Sequence, residues 1–305
     1  ADVYKRQMPM HHAIDGWYLN GCGALWPMAI TQYDTTPAGC VDKTVRRPSI
    51  KVKNGKSIRR PDSVSVESAL SIAIEKSGQT YELGITMRTP CEDKELVIGF
   101  LHSEGVIESF RCFSSIVTSD ERVVVKLNDT TNFNPLEITR RTTITSSCGI
   151  CGKDSISNLL HIHGPKLSNG FTITHEAVGK AVLGLRSMQT TFDLTGGTHA
   201  CGRTRIDGTI IDVREDIGRH NAMDKLIGAA LHNQDMPIEQ EIVVVSGRAS
   251  FELVQKALKA GFPIMGSVGA PSSLAVDLAN EHGMTLISFA NEDRMTVFSG
   301  SNRVS

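Results

Sequence analysis

Glu241-Ile242-Val243-Val244-Val245-Ser246, then Gly247-Arg248-Ala249-Ser250, then Phe251 to Ala260, is the stretch whose reading decides the fold. Its apolar run is short and β-branched, as in a strand buried on both faces, and the helical segment that follows stops at Gly261. The same rhythm extends on both sides. Thr209 to Val213 reads as a strand and Arg219 to Leu231 as a helix with Met223, Leu226, Ile227 and Leu231 inward. Pro263 to Ser267 reads as a strand, Ser272 to His282 as a helix closed by Gly283, and Thr285 to Phe289 as a strand. Strands alternating with helices of this length imply an α/β domain with a largely parallel sheet covered by helices. Ligands of such sheets sit beyond the carboxyl ends of the strands. Those ends, at 212–218, 246–250, 267–273 and 289–294, are rich in Gly, Ser, Arg and Asp and suit a polar ligand bearing phosphates.

A smaller α/β unit precedes it. Val64 to Ile74, Tyr81 to Ile85 and Val123 to Leu127 read as strands, and Lys94 to Ser103 as a helix with Leu96, Val97, Phe100 and Leu101 on one face. The expected organisation is a tail over 1–47, a small domain over 48–140 and a second domain over 141–305. The tail holds both tryptophans and shows no sustained period. The chain does not begin with Met, and its apolar stretch Trp17 to Ile30 lacks a basic lead-in, so it reads poorly as a signal peptide.

Composition bounds the function. With 305 residues, 40% hydrophobic, 21% charged and a net charge of −1, the chain reads as globular and gives no global electrostatic case for nucleic acid or anionic membrane. An odd count of seven cysteines argues against a disulfide framework and for a reducing cytoplasm. No apolar run is long enough to span a bilayer.

The chemistry concentrates in Cys148-Gly149-Ile150-Cys151, flanked by Ser146-Ser147 and Gly152. Small neighbours leave the sulfurs accessible and free backbone N–H groups to support a thiolate, so metal binding, redox chemistry and nucleophilic chemistry are all open to this pair. His102-Ser103-Glu104 together with the two cysteines mimics the zinc signature of nucleobase deaminases. Ser147 stands where that signature has Pro, and His102 falls near a helix end instead of a start, so no structural zinc is expected. His161 and His163 are an alternative pair for a zinc site, and they also suit an ordinary chain segment.

Three loops complete the set. Thr195-Gly196-Gly197-Thr198-His199 lets the backbone approach a neighbour, with His199 either a base or a satisfied loop histidine. Arg214 to Asn221 joins a strand to a helix. Asp216 there suits a helix cap, and Arg219 and His220 suit an anion site. In Ser246 to Ser250, Arg248 is either a phosphate fork or a surface partner of Glu252. Neither a Walker A pattern nor G-x-G-x-x-G is present.

Taken in order, Gly99 to Ile107, Cys148 to Gly152, Thr195 to Ala200, Glu215 to Leu226, Ser246 to Glu252 and Thr285 to Phe298 resemble the FdhD family, the sulfurtransferases that serve formate dehydrogenases. The resemblance covers about residues 60 to 300. It implies a cytidine-deaminase-like C-terminal domain and a persulfide relay. A cysteine desulfurase would load Cys148, assisted by Cys151, and the sulfur would pass to the molybdenum of a bis-molybdopterin guanine dinucleotide cofactor for formate dehydrogenase. It implies a cofactor-binding stretch at Phe289, Ala290, Asn291, Glu292, Asp293 and Arg294, where Glu292 and Asp293 depart towards acidity. Arg248, Arg219 and His220 join that expected site, and Gly197 stands where some members carry Cys. The expected assembly is a cytoplasmic homodimer. A zinc-dependent deaminase-type hydrolase and a non-catalytic cofactor chaperone are the alternatives.

Overall fold

The computed structural model describes residues 42–135 and 164–305, which fall in one compact unit running from Val41 to Ser305. Its first element is a hairpin. Strand β1 (Thr44–Lys53) pairs antiparallel with β2 (Lys56–Ser65) as a two-stranded sheet of its own. Asn54 and Gly55 close it with φ of 52° and 75°, as a two-residue turn with both central residues left-handed requires. Strand β1 therefore begins inside the segment expected to be a tail.

Four strands form the next sheet, in the order β4-β3-β6-β5: β3 (Ser68–Lys76), β4 (Gln79–Arg88), β5 (Phe113–Thr118) and β6 (Arg122–Leu127). Leu70, Ile72 and Ile74 of β3 and Val123, Val125 and Leu127 of β6 alternate inward. They bury Leu96, Val97, Ile98 and Leu101 of α1 (Asp93–Ser103).

The larger sheet has six strands in the order β12-β11-β10-β9-β7-β8. These are β7 (His199–Arg205), β8 (Ile210–Asp216), β9 (Glu241–Val245), β10 (Ile264–Ser267), β11 (Thr285–Ser288) and β12 (Thr296–Ser299). Only β9 with β10 and β10 with β11 pair in parallel; β7, β8 and β12 join antiparallel. The sheet is thus mixed, not largely parallel as expected. A connection of only four residues, 206–209, joins β7 to β8, and so short a link can make only an antiparallel pair. The first strand of this half is β7, which the sequence reading passed over.

Helices cover both faces. Alternate residues of β9, Val243 and Val245, pack with Met223, Leu226 and Ile227 of α4 (Arg219–His232), Leu253 and Val254 of α5 (Phe251–Ala260) and Leu278 of α6 (Ser273–Glu281). Ile242 and Val244 point the other way, onto Val178, Ala181 and Leu185 of α2 (His175–Ser187). A short helix α3 (Thr190–Thr195) follows it. Ser272 caps α6 by accepting from Ala275 N at 3.2 Å, and Gly261 ends α5 with φ 91°.

Helix α1 crosses α4 with backbone against backbone. A Cβ on Gly99 would lie 1.8 Å from the Asp224 carbonyl oxygen, and one on Gly228 would lie 1.8 Å from that of Glu95. Only glycine permits this approach, and it fastens the four-stranded layer to the six-stranded one.

Candidate site at the carboxyl edge of the sheet

Strands β8 to β11 all end at one edge of the large sheet, and antiparallel β7 starts there, with His199 paired to Asp216. The edge is closed by backbone bonds from loop to loop. Gly269 N donates to Gly247 O at 2.9 Å, Phe289 N to Gly269 O at 3.2 Å and Ala290 N to Ser267 O at 3.0 Å. Ser246 Oγ accepts from Ala200 N at 2.9 Å, and Ser267 Oγ lies 2.7 Å from Ser288 Oγ.

The acidic residues of Arg214 to Asn221 build the turn. Asp216 is fully buried and its carboxylate accepts from Thr89 N at 3.1 Å, Gly218 N at 2.9 Å and Asn221 Nδ2 at 3.1 Å. Lys225 Nζ pairs with it at 2.8 Å. Gly218, not Asp216, occupies the cap position of α4. Glu215 accepts from Thr191 N, Phe192 N and Thr198 Oγ1 at 2.8–2.9 Å, which satisfies the orphan donors that open α3. Glu92 gathers Lys43 at 3.1 Å, Arg214 at 3.0 Å and Lys225 at 3.6 Å. Its carboxyl is held below the usual range by Lys225, Lys43 and Arg214, which together outweigh burial, the largest single influence.

With the acids so engaged, cations are left over. Among the described residues Arg219, Arg248 and Arg294 have no ion-pair partner, and Arg248 and Arg294 are exposed. Glu252 does not pair with Arg248; its Oε2 meets His220 Nε2 at 2.8 Å. That contact with His220, ahead of the opposing burial, holds the Glu252 carboxyl below its ordinary value. His199 is half-buried with its ring beside Gly247, where a Cβ would stand 3.5 Å from Nδ1. Burial first, then Arg219 and His220, push its pKa below that of a free histidine. Ser250 stands at the cap position of α5 without making the cap bond, and its Oγ is buried with no partner among the described residues.

The segment Phe289 to Arg294 leaves β11 as a tight turn. Phe289 has φ 54° and is 41% exposed. Asn291 Oδ1 accepts from Asp293 N and Arg294 N, both at 2.9 Å. Glu292, Asp293 and Arg294 face solvent, whereas the Ala290 side chain is buried in the core and contributes packing.

Cys148, Cys151, His161 and His163 lie outside the described residues. Among the described residues Cys112 and Cys201 are free thiols, but Cys91 is disulfide-bonded, which runs against the reducing environment expected from the odd cysteine count. Burial pushes the Cys201 thiol far up, so it is no nucleophile. His102 is buried in the last turn of α1, with Nδ1 unpartnered and its pKa lowered to about 4 by burial, then by Lys259 and Lys256. Among the described residues no cluster of His, Cys, Asp or Glu is placed to hold a metal, and no helix is long and apolar enough to cross a membrane.

Sequence reasoning missed two contributors. Glu252 as the partner of His220 was concealed by its nearer neighbour Arg248. The Lys225–Asp216 pair was signalled only by a lysine on an apolar helix face.

A mixed α/β protein with a cationic strand-end edge is the class this geometry defines. The FdhD/NarQ family model matches residues 65–305, and the chain belongs to that family. It is 41% identical over 273 residues to the sulfur carrier protein FdhD of Streptomyces coelicolor, covering 86% of this chain and 95% of the relative. It is 43% identical over 268 residues to that of Nocardia farcinica, with the same coverage, and 40% identical over 245 residues to that of Picrophilus torridus. The fold matches a crystal structure from Desulfotalea psychrophila, described as a formate dehydrogenase accessory protein. The TM-score is 0.70 at 23% identity, covering 87% of this chain and all of that one.

Proposed function

We propose that this chain is a sulfur carrier for formate dehydrogenase, working in the cytoplasm, in which Cys148 accepts sulfane sulfur from a cysteine desulfurase. The observation that carries the reading is about 40% identity, over most of the chain, to relatives named sulfur carrier proteins. In the step, the Cys148 thiolate attacks the terminal sulfur of the donor persulfide. The bond from that sulfur to the donor cysteine breaks, the donor leaves as thiolate, and Cys148 holds the persulfide with no net oxidation. Cys151 assists as the second thiol. It then attacks the inner sulfur of the Cys148 persulfide, the bond to the outer sulfur breaks, and that sulfur leaves as sulfide for the molybdenum of a bis-molybdopterin guanine dinucleotide, which is cargo. The two electrons come from forming the Cys148–Cys151 disulfide, and no structural zinc takes part.

The carboxyl edge supports an anionic cargo. Arg219, Arg248 and Arg294 lack ion-pair partners among the described residues, and the Ser250 Oγ at the start of α5 has no bond. Helices α4, α5 and α6 all begin there, with N–H groups turned towards an anion. His220, oriented by Glu252, adds a donor, while Phe289 offers an exposed ring for a base. In the same reading the six-stranded unit is a cytidine-deaminase-like domain, preceded by a smaller one, and the protein works as a homodimer. The test is activation of inactive formate dehydrogenase by wild-type chain and by Cys148→Ala; full activation by the variant excludes the assignment.

A further inference from the structure

The β1–β2 hairpin concentrates charge in a way the whole chain does not. Of the 22 residues from Thr44 to Ser65, seven are Lys or Arg and one, Asp62, is acidic, leaving 25 basic against 32 acidic residues elsewhere. A net +6 arm thus sits on a chain of net charge −1. Lys51 with Asp62, at 2.8 Å, is the hairpin's one ion pair among the described residues, and it is exposed. Ile50, Val52 and Ile58 are 56%, 66% and 62% exposed among these cations. The family model begins at Ser65, where the hairpin ends, whereas the matches to the curated relatives cover 86% of the chain and reach into the hairpin.

The arm is rooted at the candidate site. Ser65 Oγ lies 2.8 Å from Thr195 Oγ1, and a Cβ on Gly197 would come within 2.9 Å of Ser65 Oγ. His199 follows two residues later. At the other strand, Lys43 pairs with Glu92, which also holds Arg214 and Lys225 beneath the carboxyl edge. The root of the hairpin thus adjoins that edge, and its cations extend outward from it along strands of ten residues.

Strand addition to the hairpin is opposed at one registered pair. Pro48 faces Pro61 in register, and proline removes the N–H that strand addition needs. Aliphatic side chains exposed between cations fit a protein face of carboxylates and apolar groups better than a phosphate backbone, which would leave them unmatched.

We propose that the β1–β2 hairpin is a docking arm for an acidic face of the apo-formate dehydrogenase, holding the client over the carboxyl edge; this rests on the proposed function. Lys51, Lys53, Lys56, Arg59 and Arg60 are each replaced by Gln in the full chain. Binding to purified apo-formate dehydrogenase is then titrated at rising salt. Wild type binds and weakens as salt rises; the variant binds about tenfold or more weaker at low salt and changes little. In both proteins GDP affinity and persulfide loading by the desulfurase stay equal. Equal dehydrogenase affinity in the two proteins with normal loading overturns the docking arm alone. So does charge-dependent binding to a DNA duplex or to phosphatidylglycerol vesicles without any to the dehydrogenase. Loading absent from both proteins overturns the proposed function instead.

Discussion

Lys225 Nζ lies 2.8 Å from Asp216 Oδ2, and both side chains are fully buried. The pair ties helix α4 to the last residue of β8, directly beneath the turn that presents Arg219 and His220. Lys225 also donates to Thr89 O at 2.9 Å. Removing one member leaves the other charge buried without its partner, which costs about 3–5 kcal/mol. Lys225→Met is therefore expected to lower stability by that amount in urea unfolding. A loss below about 1 kcal/mol would show that the pair does not hold the turn.

Stability should also fall with acid through His102. Its folded pKa is lowered to about 4, against 6.5 for a free histidine, because burial, Lys259 and Lys256 disfavour the imidazolium. Between those values the unfolded chain binds the extra proton and the folded chain does not. Unfolding is therefore favoured as pH drops from 6.5 to about 4, by roughly 3 kcal/mol in all. Above pH 6.5 the group contributes no slope. His102→Gln should flatten the stability profile in that window, and an unchanged slope would assign the acid sensitivity to other groups.

The unpaired arginines at the strand ends predict a nucleotide affinity. GDP, as a fragment of the proposed cargo, should bind wild type in calorimetry. Arg248→Ala and Arg294→Ala should each lose about 1.5–3 kcal/mol if each guanidinium makes a charge-assisted bond to phosphate. Glu292 and Asp293 face solvent beside Arg294, so substituting them should weaken binding little or strengthen it. Unchanged affinity in the double variant would move the site off this edge.

Much of the fold was legible because local signals agreed with burial. The apolar run of β9 and the bounds of α5 between Ser250 and Gly261 appear where the sequence puts them. Strand β7, His-Ala-Cys-Gly-Arg-Thr-Arg, was not legible. It is buried through small residues and through Arg203, whose charge is neutralised by Asp235 at 3.0 Å and Glu241 at 2.7 Å. Helix α2 carried a readable signal that was passed over, a Thr174 cap followed by Ala177, Val178, Ala181 and Leu185. The hairpin was announced by Asn54-Gly55 between alternating strands, inside and beyond a segment read as a tail. At the site, the sequence identified the loops that share the edge. It did not separate the acids that build the turn from the cations left open, because that depends on partners far apart in the chain.

Cys148 as the sulfur-bearing thiol is the central claim, and intact mass measures it directly. Wild-type chain incubated with a cysteine desulfurase and cysteine should gain the mass of sulfur, lose it on reduction with a thiol, and show no gain in Cys148→Ala. Loading of Cys148→Ala to the wild-type level, or no reducible gain in wild type, would contradict the account.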